Sequence, residues 1–90
     1  MQMHSVVERI RTFIVQSFPR ARNVGDDEGL LENDFIDSLG ILQVVAFLEN
    51  EFQITLADEE LLPENFNSIS NIASFTESKL NGTSPDQMER

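Results

Sequence analysis

Cysteine is absent from these 90 residues, and histidine occurs once, as His4. Without cysteine there is no disulfide, no thiolate metal ligand and no cysteine nucleophile. A Ser–His–Asp hydrolase would have to recruit the very start of the chain for its base, which argues against that kind of enzyme. No apolar run reaches the roughly 18 residues of a membrane span. The first residues lack the short apolar block of a signal peptide, so the expected compartment is the cytoplasm. Basic residues are also scarce: six against sixteen acids, a net charge of −10, with Lys79 the single lysine. Phosphate would be repelled by such a surface, so nucleic acid is not an expected partner.

The charge is unevenly placed. Residues 1–25 carry four arginines against Glu8, whereas residues 26–64 carry twelve acids and no base. The middle of the chain is therefore suited to meeting basic patches on other proteins, although acidity also serves solubility. Asp26, Asp27 and Glu28 lack the spacing and glycine of a calcium loop, and solvated loop charge is the expected reading. No metal site is expected.

The chain is short enough for one domain. Ser5 and Glu8 fit a capping box, and Val6, Val7, Ile10, Phe13, Ile14 and Phe18 recur at helical spacing. This predicts a first helix over about 5–18, stopped by Pro19. Residues 19–36 have no sustained period. Leu30, Leu31, Phe35 and Ile36 are spaced as pegs that tie a long loop to the core, and loops this long are often functional. Asp37 is a strong N-cap for a second helix running to Phe52. Phe52, Ile54 and Leu56 then alternate, but no partner strand is available, so an extended connector is expected. Asp58 caps a short turn over 59–62 that Pro63 stops. Ser68 caps a last helix with Ile69, Ile72, Ala73, Thr76 and Leu80 at helical spacing. Asn81-Gly82 ends it. Residues 1–82 are read as the domain and 83–90 as a flexible tail.

The second helix carries two apolar stripes. Ile41, Val44, Val45, Leu48 and Phe52 form a wide core face. Leu39, Leu42 and Ala46 fall roughly 130° away at about 100° per residue. The second stripe needs cover from the long loop, a third helix or another protein. Phe47 lies between the stripes and is expected against the loop or the last helix. Ser38 sits at the head of this helix, where unpartnered N–H groups and the helix dipole favour a negative group.

Asp37-Ser38-Leu39, Leu42, and Leu48-Glu49-Asn50-Glu51-Phe52-Gln53-Ile54 together resemble the acyl carrier protein family. The similarity continues through Leu56-Ala57-Asp58-Glu59-Glu60 and Phe66-Asn67-Ser68-Ile69 and covers about residues 5–80. It implies an all-α, four-helix bundle with three main helices, one short helix and a long first loop. It also implies 4′-phosphopantetheine, esterified to Ser38 by a phosphopantetheinyl transferase that uses coenzyme A. The arm's thiol would hold an acyl or aminoacyl group as a thioester, so a chain without cysteine would still handle thiol chemistry. Asp37 would serve as N-cap and contact the transferase's metal-bound pocket. Leu39, Leu42 and Ala46 match the family's docking positions, with Gln43 beside them. Phe35 stands where the family often has glycine, and Gly40 and Gln43 stand where fatty-acid carriers commonly have acids. With Leu61-Leu62-Pro63-Glu64-Asn65-Phe66, this is closer to free-standing carriers loaded by an adenylate-forming acyl or aminoacyl ligase. The implied protein is a monomeric carrier without catalysis of its own. The alternative is an acidic helical adaptor that binds partners through the second helix without modification.

Overall fold

The computed structural model of the protein describes residues 5–81; His4, Gly82 and the expected tail over 83–90 lie outside them. Among the described residues four α-helices occur in chain order: α1 (Val6–Ser17), α2 (Ser38–Phe52), α3 (Pro63–Phe66) and α4 (Ile69–Leu80). Among the described residues there is no strand. The alternating run after Phe52 is an extended connector, as the missing partner strand required.

Each long helix starts on a side-chain cap. Ser5 Oγ accepts the Glu8 N–H at 3.1 Å, Asp37 Oδ1 accepts the Gly40 N–H at 2.8 Å, and Ser68 Oγ accepts the Asn71 N–H at 3.0 Å. Each bond satisfies an amide that has no partner within its own helix. Phe18 leaves α1 in an extended conformation, and Pro19 opens a single 3-10 turn, Pro19–Ala21. Gln53 ends α2 in the left-handed region at φ 56°, a conformation that lets the chain turn sharply out of the helix.

α4 packs along α1, and α3 rests on α4. Ile10 and Ile14 of α1, Val44 and Leu48 of α2, and Ile69 and Ile72 of α4 fill the centre and are fully buried. The long loop enters this core. Leu30 and Ile36 are buried as pegs, Leu31 and Phe35 are half-buried, and Ala21 and Val24 are buried as well. Backbone bonds fix the loop in place. The Leu30 N–H donates to the Asn67 carbonyl at 2.6 Å and the Ser70 N–H donates to the Asp26 carbonyl at 2.9 Å. Arg11 reaches over from α1 to the Val24 carbonyl and pairs with Asp26.

Some expectations require correction. Phe47 meets α1, stacked on Phe13 with centroids 4.2 Å apart and planes 7° from parallel. Its ring lies on the flank of α2 that faces α1, where an aromatic partner was available. Pro63 does not stop a turn over 59–62; it opens α3, because a first-turn proline lacks only an N–H that would have no partner there. The preceding 3-10 turn spans Asp58–Glu60, with Ala57 in the cap position and the Glu60 carboxylate accepting the Ala57 N–H. Ile41 and Val45, expected in the core stripe, are half-buried at its edges. Leu80, at the end of α4, is exposed.

Gly40 is buried in the first turn of α2 for a steric reason. A Cβ there would lie 2.5 Å from Ile36 Cγ2 and 2.9 Å from Phe18 Cε1. In an open helix, glycine to alanine gains about 0.5–1 kcal/mol. Here overpacking of about 1–3 kcal/mol opposes that gain and exceeds it. Gly40→Ala is therefore expected to lower the urea midpoint.

Candidate functional site

Asp37 and Ser38 sit where the long loop delivers the chain into α2. The loop ends in Ile36, buried against the core, so the next two residues emerge at a fixed point on the surface. Asp37 is committed to capping. Ser38, the first helical residue, is exposed, and its hydroxyl is presented at the positive end of the helix dipole.

The second stripe of α2 is open. Leu39 is 70% exposed and Leu42 is 57% exposed, and Gln43 and Ala46 are exposed beside them. Neither the loop nor another helix covers these four residues. The expected residues, Asp37 at the cap and Ser38, Leu39, Leu42, Gln43 and Ala46 on α2, all lie at the surface.

Beside the stripe lies an apolar groove of about 260 Å³. Ser38, Ile41 and Leu42 of α2 and Leu31 of the loop form one side. Leu61, Leu62, Pro63 and Phe66 form the other. The sequence offered no role for this second wall. Its signal was the adjacent pair Leu61-Leu62 before a proline, two large apolar side chains where a solvated connector would carry polar ones.

The second wall stands on α4. Phe66 packs on Phe75 with centroids 5.8 Å apart, and Asn71 Nδ2 donates to the Glu64 carbonyl at 3.0 Å. Lys79 Nζ donates to both oxygens of Glu60 at 2.9 Å, and Asn65 Nδ2 donates to the Glu60 carbonyl at 2.9 Å. The Ala57 N–H first, and the Lys79 ammonium second, hold the Glu60 carboxyl below its ordinary value of 4.5.

A separate cleft of about 290 Å³ lies between α1 and α2, with Phe13 and Phe47 in its lining and the Arg9–Glu51 ion pair beside them. It contains none of the residues singled out around Ser38. Among the described residues no cluster of three histidine, cysteine or acidic side chains is placed to hold a metal ion. Among them, too, no helix is long and apolar enough to cross a membrane. Compared with known proteins, the chain matches no family model, and no curated protein matches it.

This geometry has two measurable outcomes. Leu42→Asp is expected to change unfolding stability by no more than about 1 kcal/mol, as for an exposed position. A loss of several kcal/mol in chemical denaturation would mean that Leu42 is core. The second outcome concerns Glu60. A carboxyl whose folded value is lowered contributes stability above its unfolded value and loses it as pH falls through the folded one. The stability gap between wild type and Glu60→Gln should therefore be present at neutral pH and close below pH 4.5. Urea titrations across that range measure it.

Proposed function

We propose that the protein is an acyl or aminoacyl carrier of the acyl-carrier type, with Ser38 as the attachment point of 4′-phosphopantetheine. The observation that carries this reading is the arrangement around Ser38. An exposed hydroxyl stands at a capped helix start, with an uncovered apolar stripe on one side and an apolar groove on the other. A serine that served only as a helix start would need neither.

The residues present fit the group. The Ser38 oxygen supplies the ester link, and the first-turn N–H groups of α2 favour a phosphate's negative charge. Asp37 holds the turn through its bond to the Gly40 N–H, which fixes the direction in which Ser38 leaves the surface. When bound, the arm supplies a thiol that carries the cargo as a thioester. Leu39, Leu42 and Ala46 form the surface on which a transferase, and then an adenylate-forming ligase or another acyl-transferring enzyme, would dock. Glu32, Asp34, Asp58, Glu59 and Glu64 of the acidic middle stretch are exposed and favour encounter with a basic partner face. The partner class is protein, and the carrier itself performs no reaction.

The test is intact mass after incubation with coenzyme A and a broad-specificity phosphopantetheinyl transferase. Wild type should gain one phosphopantetheine, and Ser38→Ala none. Leu42→Asp should gain it more slowly while remaining folded. Modification of Ser38→Ala, or an unmodified wild type, overturns the reading. An unmodified wild type that still binds partners through Leu39 and Leu42 would be an acidic helical adaptor instead.

A further inference from the structure

A thioester cargo is vulnerable to amines. In aminolysis the amine nitrogen attacks the carbonyl carbon, the C–N bond forms and the C–S bond breaks. The amine's proton goes to the departing sulfur, leaving an amide and a free thiol. The chain offers few groups able to do this: there is no cysteine, and five of the six basic residues are arginines, which do not acylate under such conditions. Lys79 is the single lysine.

Lys79 is not remote from the groove. Glu60, which it contacts, directly precedes Leu61 of the groove wall. The lysine side chain is 27% exposed, so burial alone does not hide it. Its Nζ is instead held against both carboxylate oxygens of Glu60 at 2.9 Å. The Glu60 side chain is itself fixed by the Ala57 N–H, so it does not swing away with the lysine. An approaching acyl carbon therefore has to compete with the Glu60 carboxylate for the nitrogen.

We infer that Glu60 masks Lys79 as a nucleophile, so that the one side-chain amine of the protein does not capture an activated acyl group. The benefit to cargo rests on the carrier reading, but the masking itself does not. Glu60 is a positioning residue in this role. The Glu60–Lys79 pair has two consequences: it pins the groove wall to α4, and it occupies the amine.

The experiment separates the two ideas. Protein without the arm is incubated with a small thioester, S-acetyl-N-acetylcysteamine, at mildly alkaline pH, and acetylation is read at each peptide by mass spectrometry. Glu60→Gln should acetylate at Lys79 faster than wild type by roughly two- to five-fold, the range that a part-exposed ion pair supports. Glu64→Gln, which removes a neighbouring acid that does not touch Lys79, should match wild type. In Arg22→Lys, with Glu60 intact, the new exposed amine should acetylate faster than Lys79 in the same molecule. This comparison keeps the inference open to refutation even if Glu60→Gln is poorly folded. Equal labelling of Lys79 in wild type and Glu60→Gln, equal acceleration by Glu64→Gln, or Lys79 labelling as fast as the residue introduced at position 22 overturns the inference. A second arm loads Ser38 from acetyl-coenzyme A with the transferase and tracks transfer to Lys79, which should rise in Glu60→Gln. A chain that never accepts the arm overturns the carrier reading and leaves the masking to the thioester result.

Discussion

The position of Ser38 depends on how the loop before it is fastened. Leu30 does most of that fastening. Its side chain is fully buried, its N–H donates to Asn67 at the junction of α3 and α4, and its carbonyl accepts from Phe35 and Ile36. A single residue thus joins the far end of the molecule to the residues that lead into α2. Without it, Ile36 would lose its backbone partner, and the loop's end would be held only by the Ile36 side chain, the Arg20 bond to the Asp34 carbonyl and the Asp37 cap. The apolar side chain and the two polar backbone groups act together, because an amide buried with Leu30 would be costly without its partners.

The start of α2 meets several requirements within five residues. Ile36 packs inward, Asp37 caps, Ser38 faces out, and Gly40 leaves space for Ile36 and Phe18. A larger residue at Gly40 would press on the same Ile36 that the Leu30 carbonyl positions. The site and the core are therefore coupled at this point, although the remaining exposed stripe of α2 is independent of the core. That separation lets α2 present Leu39 and Leu42 to solvent while Val44 and Leu48, on its other side, hold the bundle together.

Much of this was legible in the sequence. Capping serines and aspartate before periodic apolar residues marked the starts of all three long helices, and the two stripes of α2 separated its buried and exposed faces. The spacing of Leu30 and Ile36 marked the loop's anchors. Less legible were features set by tertiary neighbours. Ala21 and Val24 are small apolar residues in an aperiodic stretch, and their burial comes with the tertiary approach of α1 rather than from any local pattern. Phe47 found an aromatic partner on α1 that no local pattern specifies. Pro63 carried a true breaking signal, but a proline can close one helical turn or open another with equal ease. The groove's second wall comes from residues more than twenty positions after Ser38, so its role emerges only once α3 is seated on α4.

The open apolar stripe has a colloidal consequence. Leu39, Leu42 and Leu62 are exposed on a surface whose charged residues are mainly acidic. Between identical copies, patch would meet patch, and the contact would be attractive at short range. A net charge of −10 over 90 residues opposes that approach. That repulsion acts between like molecules and turns to attraction toward a basic one, so a single charge distribution discourages self-association and favours a foreign partner. The sequence isoelectric point is near 4.2. As acidity approaches it, the repulsion disappears while the leucines remain, and the molecule changes from a selective surface to a self-adhesive one.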